Sequence, residues 1–285
     1  MTTDDPAAAD ETVPGAGGAP AGRRIVVLGA SGLVGTRIRA ALEAAGHEVV
    51  PATRGTGIDA VTGRGLEDAL AGADAVVDAL NIPTGDRARA VEFFSTAAHT
   101  VSEASRRAGV GRIVCVSIAG ASDPAVHRWM GYYAGKATQE AAYRAAGVPV
   151  TLVHSTLWFD QVSEIAARTT LGPVAVLPTM RVAAVDVGAV ARLVAEEAAR
   201  GGPAPGPAPT GVREVAIRGP RVETAAQLAR AMLAAHGSIG GRRPRLVREL
   251  PYLGPAIASG ALVPDVAVVD RTTVEDWLAA GGRPR

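Results

Sequence analysis

Cysteine is nearly absent: Cys115 stands alone among 285 residues, so no internal disulfide can staple the fold. It lies in the apolar run "RIVCVS", the place of a small buried hydrophobe, and a reducing, cytoplasmic setting follows as the expectation. Net charge is equally scarce. Lys and Arg total 29 against 28 Asp and Glu, which leaves no field of one sign to attract nucleic acid or an anionic membrane surface. No apolar stretch reaches the roughly 18 residues of a membrane span. His47, His99, His127 and His236 are scattered, and no Cys/His or carboxylate cluster has the spacing of a metal site. The opening "MTTDDPAAADETVPGAGGAPAG" lacks the basic and apolar regions of a signal peptide, and residues 1–22 read as a disordered tail. These absences leave a small molecule as the expected partner and set no oligomeric state.

From Arg24 the pattern changes. "RIVVLGA" is a short β-branched run, and "GLVGTRIRAALEAAG" follows with helical periodicity and a closing glycine. Further strands are read at "HEVVPATR", "ADAVVDAL", "GRIVCVSIAG", "VPVTLVHSTL" and "VREVAIRG". Between them lie helical stretches, among them "DRARAVEFFSTAAHTVSEASRRAG", with Val91, Phe94, Ala98 and Val101 on one stripe, and a helix beginning near Gly131. Strands apolar throughout, alternating with helices, predict a doubly wound, Rossmann-like α/β fold with a parallel sheet covered on both faces. Residues 23–217 form this nucleotide-binding layer. Segments 156–180 and 218–285 break the alternation and are assigned to the substrate cleft and to a small annex over the carboxyl ends of the strands, where such sheets bind ligands.

"VVLGASGLVGTR" sets Gly29, Gly32 and Gly35 in a G-x-x-G-x-x-G spacing directly after the first strand. The first glycine permits a tight turn, the second admits a pyrophosphate to the backbone and the third lets helix and strand pack closely. The amino end of the helix, at Leu33 and Val34, favours the negative charge. Ala79 and Leu80, after the strand that ends at Asp78, are expected beside the adenine or ribose. A site for NAD carries an acidic residue at the end of the second strand; here "PATRGTG" offers Arg54, which suits the 2′-phosphate of NADP. Ser31, and Arg37 if it turns back, are further donors to that phosphate. NADP is therefore expected ahead of NAD.

"LGASGLVG", "VSIAG", "YYAGKATQE" and "GVPVTLVHSTLW" together resemble the short-chain dehydrogenase/reductase superfamily, in its atypical NmrA-like, NAD(P)-binding branch. The likeness covers residues 24–200 and implies a Rossmann-like core, a bound NAD(P)(H) and a substrate cleft beneath the annex. Members of that branch include oxidoreductases and also redox sensors that hold the nucleotide without turning it over.

Hydride transfer to a carbonyl needs a proton donor at the developing oxyanion, and a tyrosine whose pKa is lowered by an ammonium can serve. Lys136 can lower that pKa and can also hold the nicotinamide ribose hydroxyls. Helical spacing allows either Tyr132 or Tyr133 to partner it; the Tyr-x-x-x-Lys motif of the resembled family selects Tyr132. Ser117, ending a strand, is the expected helper at the substrate oxygen. His154, Trp158 and Phe159 are expected on the substrate side. The function these residues predict is an NADP-dependent oxidoreductase acting on a carbonyl, quinone or conjugated double bond.

Overall fold

In the computed structural model, residues 22–201 and 211–282 are described. The tail expected over residues 1–22 therefore lies, up to residue 21, outside the described residues, as does most of the Pro/Gly-rich segment after Arg200.

The chain begins with β1 (Arg24–Leu28), α1 (Leu33–Ala44) and β2 (Glu48–Ala52), then passes a short turn of 3-10 helix at Arg54–Thr56. Next come α2 (Leu66–Leu70), β3 (Ala75–Asp78), α3 (Arg87–Ala108), β4 (Ile113–Ile118), α4 (Pro124–His127), α5 (Gly131–Arg144) and β5 (Val150–Ser155). Beyond β5 lie α6 (Phe159–Thr169), β6 (Thr170–Leu171), β7 (Val174–Pro178), β8 (Arg181–Val182), α7 (Val187–Ala199) and β9 (Val212–Arg218). The chain closes with β10 (Glu223–Thr224), α8 (Ala225–His236), β11 (Leu246–Leu250), α9 (Pro255–Ser259), β12 (Val268–Val269) and α10 (Val274–Ala279).

Seven strands form one sheet in the order β12-β9-β5-β4-β3-β1-β2, and every pairing in it is parallel. It is the expected doubly wound Rossmann-like α/β fold. The sheet is buried on both faces, so β1, β3 and β4 are apolar nearly throughout. One face packs against α1 and α7 through Val27, Val114, Val153, Ile38 and Val194. The other packs against α2, α3 and α5 through Val26, Ile113, Leu152, Val101 and Tyr143. The chain runs outward from β1 to β2 and then crosses back to β3, so the strand order reverses between β1 and β3. Ligands of open α/β sheets bind outside the carboxyl ends of the strands at such a reversal.

A second core lies over those carboxyl ends. It joins Val126, Tyr133, Phe159, Val162, Leu177, Met180, Leu228, Met232, Ile257 and Trp277, drawn from the segment between α4 and β8 and from the elements after Arg218. A three-stranded sheet, β11-β7-β6, and the pair β10-β8 belong to this annex. β12 returns to the edge of the large sheet beside β9. Two glycines weld annex to base: a Cβ on Gly120 would meet the Ala261 carbonyl at 2.3 Å, and one on Gly254 would meet the Trp129 ring at 2.5 Å.

Candidate active site

The turn after β1 is built as its glycines require. Gly29 has φ +74°, and a Cβ there would strike the Ala79 carbonyl at 2.7 Å; a Cβ on Gly35 would come within 2.2 Å of the Gly29 carbonyl. A side chain at either position would force β1, β3 and α1 apart. Gly32 is the N-cap of α1 and offers no side-chain bond, and the first turn carries no acidic residue. The positive end of a 12-residue helix therefore faces outward with free amide donors, as a pyrophosphate demands. Among the described residues this is the arrangement that a dinucleotide fits, and Leu33, Val34, Ala79 and Leu80 line the adjoining cleft. Ser31 is exposed on the same turn.

That cleft measures about 500 Å³ and passes from Gly32 along the loop Leu80–Gly85 to Tyr132 and Lys136 on α5. Its far wall is Ile118, Met130, Leu157, Trp158, Ile165 and Leu262, with Gln161, Glu164 and Arg168 along α6. The wall is thus mostly apolar with a few polar groups, the usual make-up of a small-molecule site.

α5 can lie close on α3 because two glycines face it. A Cβ on Gly131 would meet the Arg87 backbone at 2.6 Å, and one on Gly135 would meet Ala90 and Phe94 at 2.8 Å. This approach sets the Phe94 ring under the site, 4.6 Å from Lys136 Nζ and edge-on to Tyr132 at 5.7 Å. Lys136 is the chain's only lysine and is 4% exposed. Its ammonium donates to the Val116 carbonyl at 2.8 Å and to Gln139 Oε1 at 2.7 Å.

Tyr132 lies within the helix, half-buried at the cleft, and its hydroxyl donates to Asn81 Oδ1 at 2.8 Å. Burial pushes its phenol well above the ordinary value. The expected lowering by Lys136 is not there, because the lysine ammonium is turned to Val116 and Gln139. Tyr133 is buried in the annex core, its phenol likewise raised by burial and by Tyr132 beside it.

Three expectations need correction. Ser117 borders the cleft, but its hydroxyl is already engaged: side chains of a strand alternate, and this one shares the α5 face with Cys115, where it donates to Glu140 Oε1 at 2.5 Å. His154, the register partner of Ser117, points the same way. Its Nδ1 is 3.4 Å from Glu140 and its Nε2 3.2 Å from Glu214, and Arg144 joins both carboxylates at 3.4 and 2.8 Å. Burial pushes the Glu140 carboxyl up, but bonds from His154 and Ser117 and the charge of Arg144 outweigh it and hold it below the usual range. Burial would lower His154, but Glu140 and Glu214 raise it. Phe159, finally, is buried against Trp277, ring centroids 5.5 Å apart, because the first residue of α6 turns into the annex core. Trp158 does line the cleft, its Nε1 donating to Ser155 Oγ at 3.1 Å.

Arg54 is exposed in the 3-10 turn that follows β2. Arg37 turns instead to the Leu33 carbonyl and Asp160. Sequence reasoning missed Gln139 and Glu140, because an amide and a carboxylate in "KATQE" look like ordinary solvent-facing helix residues until the sheet beneath them is known.

The NAD(P)H-binding family's sequence profile matches residues 29–199, more than half of the chain. No curated protein is similar in sequence. Solved structures share the fold at low identity. The Bordetella bronchiseptica enzyme WbmH in complex with NAD+ has a TM-score of 0.67 at 16% identity, covering 90% of this chain and 96% of that one. A short-chain dehydrogenase/reductase superfamily protein from Agrobacterium tumefaciens, with bound NAD, has a TM-score of 0.58 at 16% identity and covers 92% of each chain. Thermus thermophilus UDP-glucose 4-epimerase, in complex with NAD, scores 0.57 at 17% identity over 92% of this chain and 94% of that one. With its glycine turn, uncapped helix end and parallel sheet, the chain belongs to the NAD(P)H-binding family and shares the Rossmann-like fold of these structures.

Proposed function

We propose that the protein is an NADP-dependent oxidoreductase of the NmrA-like branch that reduces a small, largely apolar acceptor: a quinone, a conjugated double bond or a carbonyl. The observation that carries this reading is the single cleft joining the uncapped end of α1 to Lys136, Tyr132 and an apolar far wall. A bound nicotinamide supplies hydride there. Gly29, Gly32 and Gly35 admit the pyrophosphate, Arg54 favours a 2′-phosphate, and Lys136 keeps one N–H for a ribose hydroxyl after its bonds to Val116 and Gln139.

Tyr132 supports the reducing direction. Burial keeps the phenol protonated, which excludes it as the resting base for an alcohol and leaves it a proton donor, though a weaker acid than a tyrosine beside an ammonium would be. Asn81 keeps that hydroxyl at the cleft. Met130, Leu157, Trp158 and Leu262 exclude water from the acceptor. With Ser117 committed to Glu140, Tyr132 is the proton donor on which the reading depends.

Tyr132→Phe should lower kcat for NADPH oxidation by about 10²-fold or more, the usual weight of a positioned acid, and leave cofactor affinity intact. Unchanged turnover with the best acceptor from a screen of quinones, enones and ketones would remove Tyr132 from the reaction.

One observation favours a second reading. Lys136 and Tyr132 do not meet, and Ser117 is spent elsewhere, which is how a nucleotide sensor would look. In that case no acceptor accelerates NADPH oxidation, while NADPH and NADP+ change the affinity for a partner protein differently.

A further inference from the structure

Beneath the cleft lies a buried polar chain. Asp78, the last residue of β3, is fully buried. Its Oδ1 accepts from the Leu80 amide at 2.9 Å. Its Oδ2 accepts from Gln139 Nε2 at 2.7 Å and from the Tyr143 hydroxyl at 2.6 Å. Gln139, fully buried as well, passes its other end to Lys136, accepting from Nζ at 2.7 Å. The three α5 residues follow from helical spacing, since 136, 139 and 143 stack on one face.

We infer that Asp78, acting through Gln139, is the positioning device of Lys136. An unpaired buried ammonium is costly, and among the described residues no carboxylate lies within ion-pair distance of this one. Its counter-charge is Asp78, one amide away. The amide fixes direction as well as charge: with Nε2 donating to Asp78, Gln139 presents only its oxygen to Lys136, so the lysine is drawn as a donor and cannot swing to another acceptor. The Val116 carbonyl fixes the second N–H and the Phe94 ring supports the cation from below. The remaining N–H is left to the cleft. By holding the Leu80 amide, the same carboxylate also shapes the Ala79–Asn81 turn that lines the dinucleotide side. One buried anion thus ties two walls of the nucleotide site together.

This inference rests on the reading that Lys136 holds the nicotinamide ribose, and the test separates the two. NADPH and 2′,5′-ADP share the adenine and 2′-phosphate end, but only NADPH carries the ribose that Lys136 would hold. Their affinities are measured by calorimetry for the wild type, Lys136→Met, Gln139→Met and Asp78→Asn, with NADH and ADP as a second pair. In the wild type NADPH should bind more tightly than 2′,5′-ADP. Lys136→Met should reduce that advantage about tenfold, the weight of one charge-assisted hydrogen bond, and Gln139→Met and Asp78→Asn should reproduce most of the loss while 2′,5′-ADP binds as before. The double variant Lys136→Met with Gln139→Met should be no worse than Lys136→Met alone.

If Lys136→Met leaves the NADPH advantage intact, the ribose-anchor reading fails. If Lys136→Met removes the advantage but Gln139→Met and Asp78→Asn keep it, the relay is overturned and the anchor stands. Equal weakening of NADPH and 2′,5′-ADP in the relay variants would mark general damage to the fold and would likewise overturn it. Asp78→Asn keeps size and the acceptor for the Leu80 amide, which guards against a variant that merely fails to fold.

Discussion

Lys136 is the clearest single-residue signal in the chain, for a reason visible only when composition and structure are combined. It is one lysine within a basic set of 29, so arginine fills every other basic position. At 136 the requirement is a compact tripod of donors, two of them aimed at Val116 and Gln139, above an aromatic ring. A planar guanidinium cannot reproduce that geometry. Arg54 carries the opposite kind of claim, an exposed charge whose value lies in its place after β2. Under the proposed reading, Arg54→Glu should weaken NADPH binding about tenfold or more and leave NADH nearly unchanged, since an attraction for the 2′-phosphate would become a repulsion; fluorescence titration of both reduced cofactors checks it. The Tyr-x-x-x-Lys motif was legible in the sequence, whereas the environment of its tyrosine was not. Whether an ammonium reaches a phenol one turn away depends on competing acceptors, and these came from β4 and from the same helix.

α5 is the element on which the site turns. Gly131 and Gly135 bring it against α3, so Gly135→Ala should lever it away: the new methyl would sit 2.8 Å from the Ala90 backbone and Phe94. Overpacking of this kind costs about 1–3 kcal/mol, and chemical denaturation should show that loss together with weaker NADPH binding. Where α5 packs on the sheet it holds the Glu140–His154–Glu214–Arg144 cluster with β5 and β9. Because His154 titrates higher in the folded protein than its usual 6.5, the native state keeps a proton there that the unfolded chain releases, and stability falls as pH rises through that interval. Glu140, held below its usual 4.5, contributes stability that is present above that value and lost as pH falls through the lowered one. The stability advantage of the wild type over His154→Gln should therefore be full below about pH 6.5 and shrink as pH rises; an advantage independent of pH would contradict this assignment. Ser117 and Cys115 share a face of β4 by strand alternation, but that this face carries α5 and Glu140 is set by the packing of distant elements.

For the molecule as a whole, local and repetitive features were readable. The glycine turn, the apolar strands and the strand–helix alternation each rest on contacts close in sequence, and the doubly wound sheet followed from them. The annex was legible only as a break in that alternation. Its β6, β8 and β10 are two residues long, too short to leave a period, and its core gathers side chains from Val126 to Trp277. The neighbours Trp158 and Phe159 illustrate the limit, since one enters the cleft and the other the annex core. The proposed function divides the labour between two residues that line one cleft: Lys136 would serve the cofactor and Tyr132 the substrate, although four residues apart on one helix. Calorimetric titration of NADPH into the wild type, Lys136→Met and Tyr132→Phe tests that division most directly. Affinity should fall about tenfold in Lys136→Met and remain at the wild-type value in Tyr132→Phe. Wild-type affinity in Lys136→Met, or an equal loss in Tyr132→Phe, would contradict it.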